Sequence, residues 1–148
     1  MQNEPSKAVV TAWIRLVRAQ QTVLLKVERA LRDAGLPPYT WYDALWELDQ
    51  ASDAGLRPGE IQRQMLIAQS NISRLIDRLE EAGCVARRSC DDDARAQIVV
   101  ITEKGRALRK RMWPVYATSI NGTIGAAISD REAISLGFVL DKVIRQSE

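Results

Sequence analysis

The chain has 148 residues, 46% hydrophobic and 27% charged, with a net charge of +2, which fits one domain with a buried core. No apolar run approaches the ~20 residues of a membrane span, and the polar N-terminus has no signal-peptide pattern, so a cytoplasmic location is the default expectation. The absence of histidine excludes Ser-His and Cys-His catalysis, and two cysteines are too few for a zinc site or a disulfide framework. We expect no metal, no cofactor, no membrane partner and no enzymatic activity.

Positive charge is concentrated in the middle of the chain. Residues 57–111 carry 12 Lys or Arg and 8 Asp or Glu, a net of +4 against +2 for the whole chain. A local basic field attracts phosphate, although chance asymmetry gives the same pattern.

Hydrophobic periodicity predicts a mainly α chain with one small β-hairpin, in the order ααααββαα. The first helix, expected over 6–33, is long for so small a domain, which is typical of a helix that packs against a second chain. Gly83 is expected in a left-handed cap, Thr102 as an N-cap, and Ser129 with Glu132 as a capping box. The other helices are predicted over 39–52, 59–66, 69–82, 102–120 and from 129 onward, and the strands over 85–89 and 97–101.

The fourth helix has the sharpest division into two faces. Its apolar residues recur at i, i+3, i+4 and i+7, which places them on one side: Ile72, Leu75, Ile76 and Leu79. The other side carries amide, hydroxyl and guanidinium groups, which suit the base edges of a DNA major groove. The candidate DNA contacts on this helix are Ser70, Asn71, Ser73, Arg74 and Arg78.

The hairpin that follows, here called the wing, adds a second candidate contact. Arg87 and Arg88 lie on its first strand and Arg95 near its tip, beside three aspartates. One arrangement has Asp93 bracing Arg95 for entry into a narrow minor groove. A solvated acidic turn is a serious alternative, whereas three adjacent aspartates cannot all face one metal ion.

These residues resemble the MarR family of multiple-antibiotic-resistance regulators. The matching stretch is 70–83, followed by Val85, Arg87, Asp93, Arg95 and 101–105. The resemblance implies a single winged helix-turn-helix domain over 1–148, with dimerisation helices in 6–52 and 106–148 and a DNA-binding region in 56–105. It further implies a homodimer that binds a pseudo-palindromic operator in double-stranded DNA, most often as a repressor, and that a small aromatic effector releases. Gln62, Leu66, Ala68 and Ala94 depart from the family pattern.

Two weaker signals concern regulation. Early aromatic residues could line a pocket for a planar ligand, with Asp43 or Arg15 as polar partners, although plain core packing is the commoner use of such rings. The aromatic candidates are Trp13, Tyr39, Trp41, Tyr42 and Trp46. Cys90, near Arg87 and Arg88, could sense oxidants. A third alternative is a dimeric protein-interaction scaffold that has lost DNA specificity.

Overall fold

The computed structural model describes residues 3–90 and 93–148, and the side chains of residues 90 and 93–96 lie outside that description. Within this part of the chain it contains six α-helices and one antiparallel hairpin, which confirms the predicted order. The helices are α1 (Lys7–Asp33), α2 (Tyr39–Ala51), α3 (Pro58–Gln64), α4 (Ile72–Glu81), α5 (Glu103–Ile120) and α6 (Asp130–Ser147). The strands are β1 (Val85–Cys90) and β2 (Asp93–Ile101). A 3-10 turn, Ser52–Ala54, follows α2, and a π-helical turn, Asn121–Gly125, follows α5.

The chain divides into two compact units. The central unit, Glu28–Val115, holds α2, α3, α4 and the hairpin, and the terminal unit consists of Met1–Val27 and Tyr116–Glu148. Apolar side chains from every element of the central unit form its core, because each element turns one face inward. The fully buried members include Leu45, Leu48, Ile61, Ile76, Leu79, Val99 and Met112.

Three predicted helix signals are confirmed. Gly83 has a φ of +76°, a left-handed conformation that glycine adopts without steric cost. Thr102 Oγ1 accepts from Gly105 N at 3.1 Å and donates to the carbonyl oxygen of Gly83 at 2.6 Å, so one hydroxyl caps α5 and secures the end of α4. Ser129 and Glu132 form the expected capping box at the start of α6.

Helix α4 begins three residues later than predicted, at Ile72 instead of Gln69. The amide of Gln69 instead donates to the carbonyl oxygens of Ile67 and Ala68, at 3.4 and 3.2 Å. The helix is capped by Asn71, whose Oδ1 accepts from Arg74 N at 3.1 Å. A short polar side chain such as that of Asn71 favours a cap over the helix interior, which explains the later start.

The hairpin has a third backbone partner that the sequence did not indicate. Leu56, in the bridge between α2 and α3, exchanges both backbone hydrogen bonds with Val99, at 2.9 and 2.8 Å. Gly55, with a φ of +67°, makes this approach possible, because a Cβ there would meet Ile98 Cγ2 at 2.5 Å and Val100 Cγ1 at 2.8 Å.

The terminal unit leaves much of its apolar surface exposed. Helix α6 buries none of its residues, although its N-terminal capping is complete. Its exposed apolar side chains are Ile134, Leu136, Phe138, Val139, Val143 and Ile144. Among the residues that the structure describes, no helix is long and apolar enough to cross a membrane.

Candidate nucleic-acid interface

Helix α4 presents opposite faces to the core and to solvent. Leu75, Ile76 and Leu79 are buried at 7%, 1% and 0% exposure. Every candidate DNA contact predicted on or beside this helix is exposed: Ser70, Asn71, Ser73, Arg74 and Arg78. Burial of the apolar side fixes the helix on the domain and leaves the polar side available to a partner.

The two arginines of this exposed side have no carboxylate partner among the described residues. The guanidinium groups of Arg74 and Arg78 therefore keep all their donors for an external acceptor such as a base edge or a phosphate. Asn71 differs, because its Oδ1 already accepts from Arg74 N. A bidentate contact from Asn71 to adenine would compete with that helix cap.

Arg87 fastens the wing to the recognition helix. Its Nη2 donates to Asp77 Oδ1 at 2.7 Å, and its Nη1 donates to Glu80 Oε1 at 2.8 Å. The hydrogen bond to Asp77 is the main cause that raises the pKa of Arg87 above its ordinary value. A forked contact of this kind fixes orientation as well as distance, so it sets the position of β1 against α4.

Arg88 makes a similar attachment on the neighbouring loop. Its Nη2 donates to the carbonyl oxygens of Asp53 and Ala54, at 2.6 and 3.2 Å. The guanidinium groups of both β1 arginines thus hold the wing in place, although the sequence analysis predicted that these groups contact DNA. The side chains of Asp93, Arg95 and Cys90 lie outside the described residues, and so do the bracing and redox hypotheses that depend on them.

The turn before α4 is held by side chains from two helices. Asp43 of α2 is 2% exposed, and its Oδ1 and Oδ2 each accept a backbone N–H, from Leu66 and Ile67, both at 3.0 Å. Gln62 of α3 donates from Nε2 to the carbonyl oxygen of Gln69 at 2.8 Å. Burial raises the pKa of Asp43, although its two backbone hydrogen bonds act in the opposite direction.

Sequence reasoning treated Asp43 as a ligand partner and missed its contact with the turn. A signal was present, since Asp43 is a lone charge in the run from Tyr42 to Leu45, which the structure buries entirely. A charge in such a position is normally hydrogen-bonded inside the protein. Its partners lie 23 and 24 residues away, which no local pattern indicates.

Three of the predicted aromatic residues come together around Tyr42. Its ring centroid lies 6.3 Å from Tyr39 and 6.4 Å from Trp46, and it also stacks at 6.1 Å on Trp113 of α5, a residue the sequence did not single out. Arg109 lies 5.3 Å over the Trp46 ring. Trp41 is half-buried on the same helix.

The other two ligand candidates, Trp13 and Arg15, belong to the terminal unit, where Trp13 is 64% exposed. In the central unit, Asp49 binds Arg106 and Arg109 at 3.3 and 2.8 Å, so α2 and α5 are joined by charge beside the aromatic rings. Among the described residues, no group of three or more Cys, Asp or Glu could hold a metal ion.

Comparison with known proteins relates the chain to a known family. The sequence model of the MarR family matches residues 34–96, from the end of α1 to the wing. The transcriptional repressor MprA of Escherichia coli K12 is 25% identical over 130 residues, which cover 88% of this chain and 73% of MprA. Over most of its length, the chain is similar to MarR family transcription regulators.

Two solved structures extend the similarity to the fold. Sco3205, a MarR family transcriptional regulator of Streptomyces coelicolor solved in complex with DNA, superposes with a TM-score of 0.84 at 26% identity and covers 98% of this chain and 92% of Sco3205. BpsR of Bordetella bronchiseptica, whose DNA binding is regulated by 6-hydroxynicotinic acid, gives a TM-score of 0.75 at 20% identity over 97% of this chain and 96% of BpsR. MarR proteins are transcription regulators and not enzymes, so this chain is a transcription regulator.

Three of the four departures from the MarR pattern lie in the turn before α4 or beside it. Leu66 is 73% exposed, Ala68 is exposed and Gln62 spans the turn to Gln69. Asn71, and not Ala68, is the N-cap of α4. The protein therefore keeps a formed turn, with backbone contacts supplied by Asp43 and Gln62.

Proposed function

We propose that this protein is a sequence-specific repressor that binds a pseudo-palindromic operator as a homodimer. The observation that carries the proposal is the polar side of α4. Arg74 and Arg78 are exposed there and have no ion pair with any described residue, while the opposite side of the helix is buried in the core. A helix of this kind enters a major groove with its N-terminal residues against the base edges. The relatives support the assignment, since MprA is a repressor and Sco3205 was solved with DNA.

The wing is proposed to meet the flanking minor groove. Arg87 and Arg88 hold β1 against α4 and the Ser52–Ala54 turn, so the wing is attached before DNA arrives. A pre-positioned wing loses less conformational freedom on binding than a mobile one. We assign Arg87 and Arg88 to positioning, and Arg95, at the wing tip, to the minor groove.

The homodimer is proposed to form through the terminal unit. Helix α6 exposes Ile134 and Phe138 at 74% and 65%, and α1 exposes Val9 and Trp13 at 58% and 64%. Many large apolar side chains exposed on one helix are typical of an interface between chains. Two copies related by a twofold axis would place their recognition helices on half-sites whose centres lie about one helical turn, ~34 Å, apart.

Control by a planar aromatic ligand is proposed at the rings around Tyr42. Stacked rings with a guanidinium over Trp46 offer both an apolar surface and a positive charge to such a ligand. The regulation of BpsR by 6-hydroxynicotinic acid supports this, because a protein of the same fold responds to a molecule of this class.

A pull-down of genomic DNA fragments by the purified protein tests the proposal. We expect enrichment of a short inverted repeat, and an affinity for it that falls steeply as salt rises, because bound phosphates release counterions.

Sedimentation of the Phe138→Glu variant tests the dimer. Gln146→Glu, which changes an exposed residue of the same helix, is the control. Weak binding with no preferred sequence would overturn the repressor and would favour a protein-interaction scaffold.

A further inference from the structure

We propose that Asp43 is a positioning residue for DNA recognition, which sets where the recognition helix begins by holding the turn of residues 65–71 against α2. The inference rests on the proposed function, because it concerns how the DNA-contacting residues are placed. Asp43 contacts no DNA in this account and acts through the backbone of Leu66 and Ile67.

The carboxylate of Asp43 binds two consecutive peptide N–H groups of the turn. Each carboxylate oxygen accepts one N–H at 3.0 Å, so the two bonds fix the orientation of the backbone at Leu66 and Ile67 as well as its distance from α2. The carboxylate is 2% exposed, so water cannot replace either bond without opening the core.

The turn has few other anchors of its own. The side chain of Leu66 is 73% exposed and Ala68 is exposed, so neither contributes an apolar attachment to the domain. Met65 is buried on the near side, and the first buried residue of α4 is Leu75. Between them, the backbone is held by Asp43 and by the contact of Gln62 with Gln69 at 2.8 Å.

The energetics favour orientation over stability as the contribution of this carboxylate. Burial raises the pKa of Asp43 despite its two hydrogen bonds, so the desolvation of the charge outweighs what the bonds return. Ionised Asp43 therefore defines the geometry of the turn, but it does not stabilise the folded protein more than protonated Asp43 would.

The residues that follow this turn are those that contact DNA in the proposed function. Ser70 and Asn71 follow Ile67 within four positions, and Arg74 lies in the first turn of α4. A directional contact between a guanidinium and a base depends on placement to a fraction of an ångström, whereas a contact with phosphate tolerates displacement. Loss of the Asp43 contact should therefore reduce sequence preference more than general affinity for DNA.

The test compares Asp43→Asn with Leu48→Ala. Asparagine has the same shape but one acceptor oxygen, and its NH2 faces an N–H donor, so one of the two backbone bonds is lost. Leu48 is fully buried on the same helix and has no contact with the turn among the hydrogen bonds described, so its truncation lowers stability without releasing the turn. Both full-length variants are compared with the unchanged protein. The concentration of each protein is corrected for the fraction that is active in DNA binding.

Two readouts separate positioning from general stability. Amide hydrogen exchange should accelerate over residues 65–69 in Asp43→Asn and across the whole central unit in Leu48→Ala. The ratio of Kd for random DNA to Kd for the fragment that the unchanged protein selects should fall by about tenfold in Asp43→Asn, the value of one directional base contact. The same ratio should stay constant in Leu48→Ala.

Each outcome bears on a different claim. Faster exchange over 65–69 with an unchanged Kd ratio would show that Asp43 is structural only and would overturn this inference while leaving the proposed function intact. Unchanged exchange over 65–69 would show that the turn does not depend on Asp43, which also overturns it. Failure of the unchanged protein to select any sequence would overturn the proposed function, and with it the inference.

Discussion

The guanidinium of Arg87 lies 2.7 Å from the carboxylate of Asp77, so the wing of this protein is tied directly to its recognition helix. Glu80, one helical turn further along α4, accepts from the other end of the same fork at 2.8 Å. The two DNA-contacting elements of the proposed repressor are thereby held in one arrangement in the absence of DNA.

Arg87→Ala should weaken DNA binding more than it lowers stability. The partners Asp77 and Glu80 are largely exposed, and exposed ion pairs contribute about 0–1 kcal/mol to folding. Without Arg87 the wing is released from α4, so the entropy lost when the wing becomes ordered on DNA weakens binding. Thermal unfolding and DNA titration measure the two effects, with Arg145→Ala, whose pair with Asp141 is exposed on α6, as control. A loss of affinity no larger than in the control would show that the fork does not position the wing.

Arg74→Ala should relax base preference. Its guanidinium is exposed and has no ion pair among the described residues, and loss of a base contact costs on the order of 1–3 kcal/mol. Selection from random duplexes by the variant should give a degenerate position in each half-site. Arg18→Ala, an exposed arginine of α1, should leave the selected sequence unchanged. An identical sequence from Arg74→Ala would mean that this side chain meets phosphate only.

Two helical glycines should respond oppositely to alanine. A Cβ at Gly105 would overlap the carbonyl oxygen of Cys84 and would lie 2.9 Å from Ile101 Cγ1, so Gly105→Ala should destabilise the protein by about 1–3 kcal/mol. Gly137, on α6, has nothing within 4 Å of the same position. Gly137→Ala should be stabilising by about 0.5–1 kcal/mol through helix propensity. Urea unfolding of both variants checks the pair, and equal shifts of the same sign would contradict the packing of α5 on the end of α4.

Much of the fold could be predicted because its signals are local. The apolar stripe of α4, the glycine that ends it at Gly83 and the cap at Thr102 depend on residues a few positions apart. The start of α4 was misplaced because Gln69 and Asn71 are both compatible with a helix interior, whereas Gln69 bonds to the turn and Asn71 caps the helix.

The contacts that could not be predicted join distant parts of the chain. Leu56 with Val99, Arg88 with Asp53 and Asp43 with Leu66 are separated by 43, 35 and 23 residues, and each depends on how the elements pack. Exposed arginines on α4 were predictable as candidates from periodicity alone. The positioning role of Arg87 was not, because charge patterns do not reveal which acceptor a guanidinium meets.

The stability that Asp43 contributes should decrease as pH rises. Burial raises its pKa above the ordinary value of 3.8, so the folded protein holds the proton more tightly than the unfolded chain. That contribution is complete below a pH of 3.8 and is lost as the pH rises through the folded pKa of Asp43. The free energy of unfolding of the unchanged protein, relative to Asp43→Asn, should therefore fall between that pH and neutrality. Urea unfolding at a series of pH values measures the difference, and a rise over this range would contradict the assignment of burial as the dominant cause.

The most direct test of sequence-specific DNA binding is a competition titration. The protein is bound to the inverted repeat that it selects, and is displaced by the same duplex or by a shuffled duplex of equal length and composition, at two salt concentrations. We expect the shuffled duplex to compete at least about a thousandfold less well, the lower range for specific over non-specific binding, with the preference retained at higher salt. Equal competition by the two duplexes would show that the exposed arginines of α4 read charge alone, and would contradict the account.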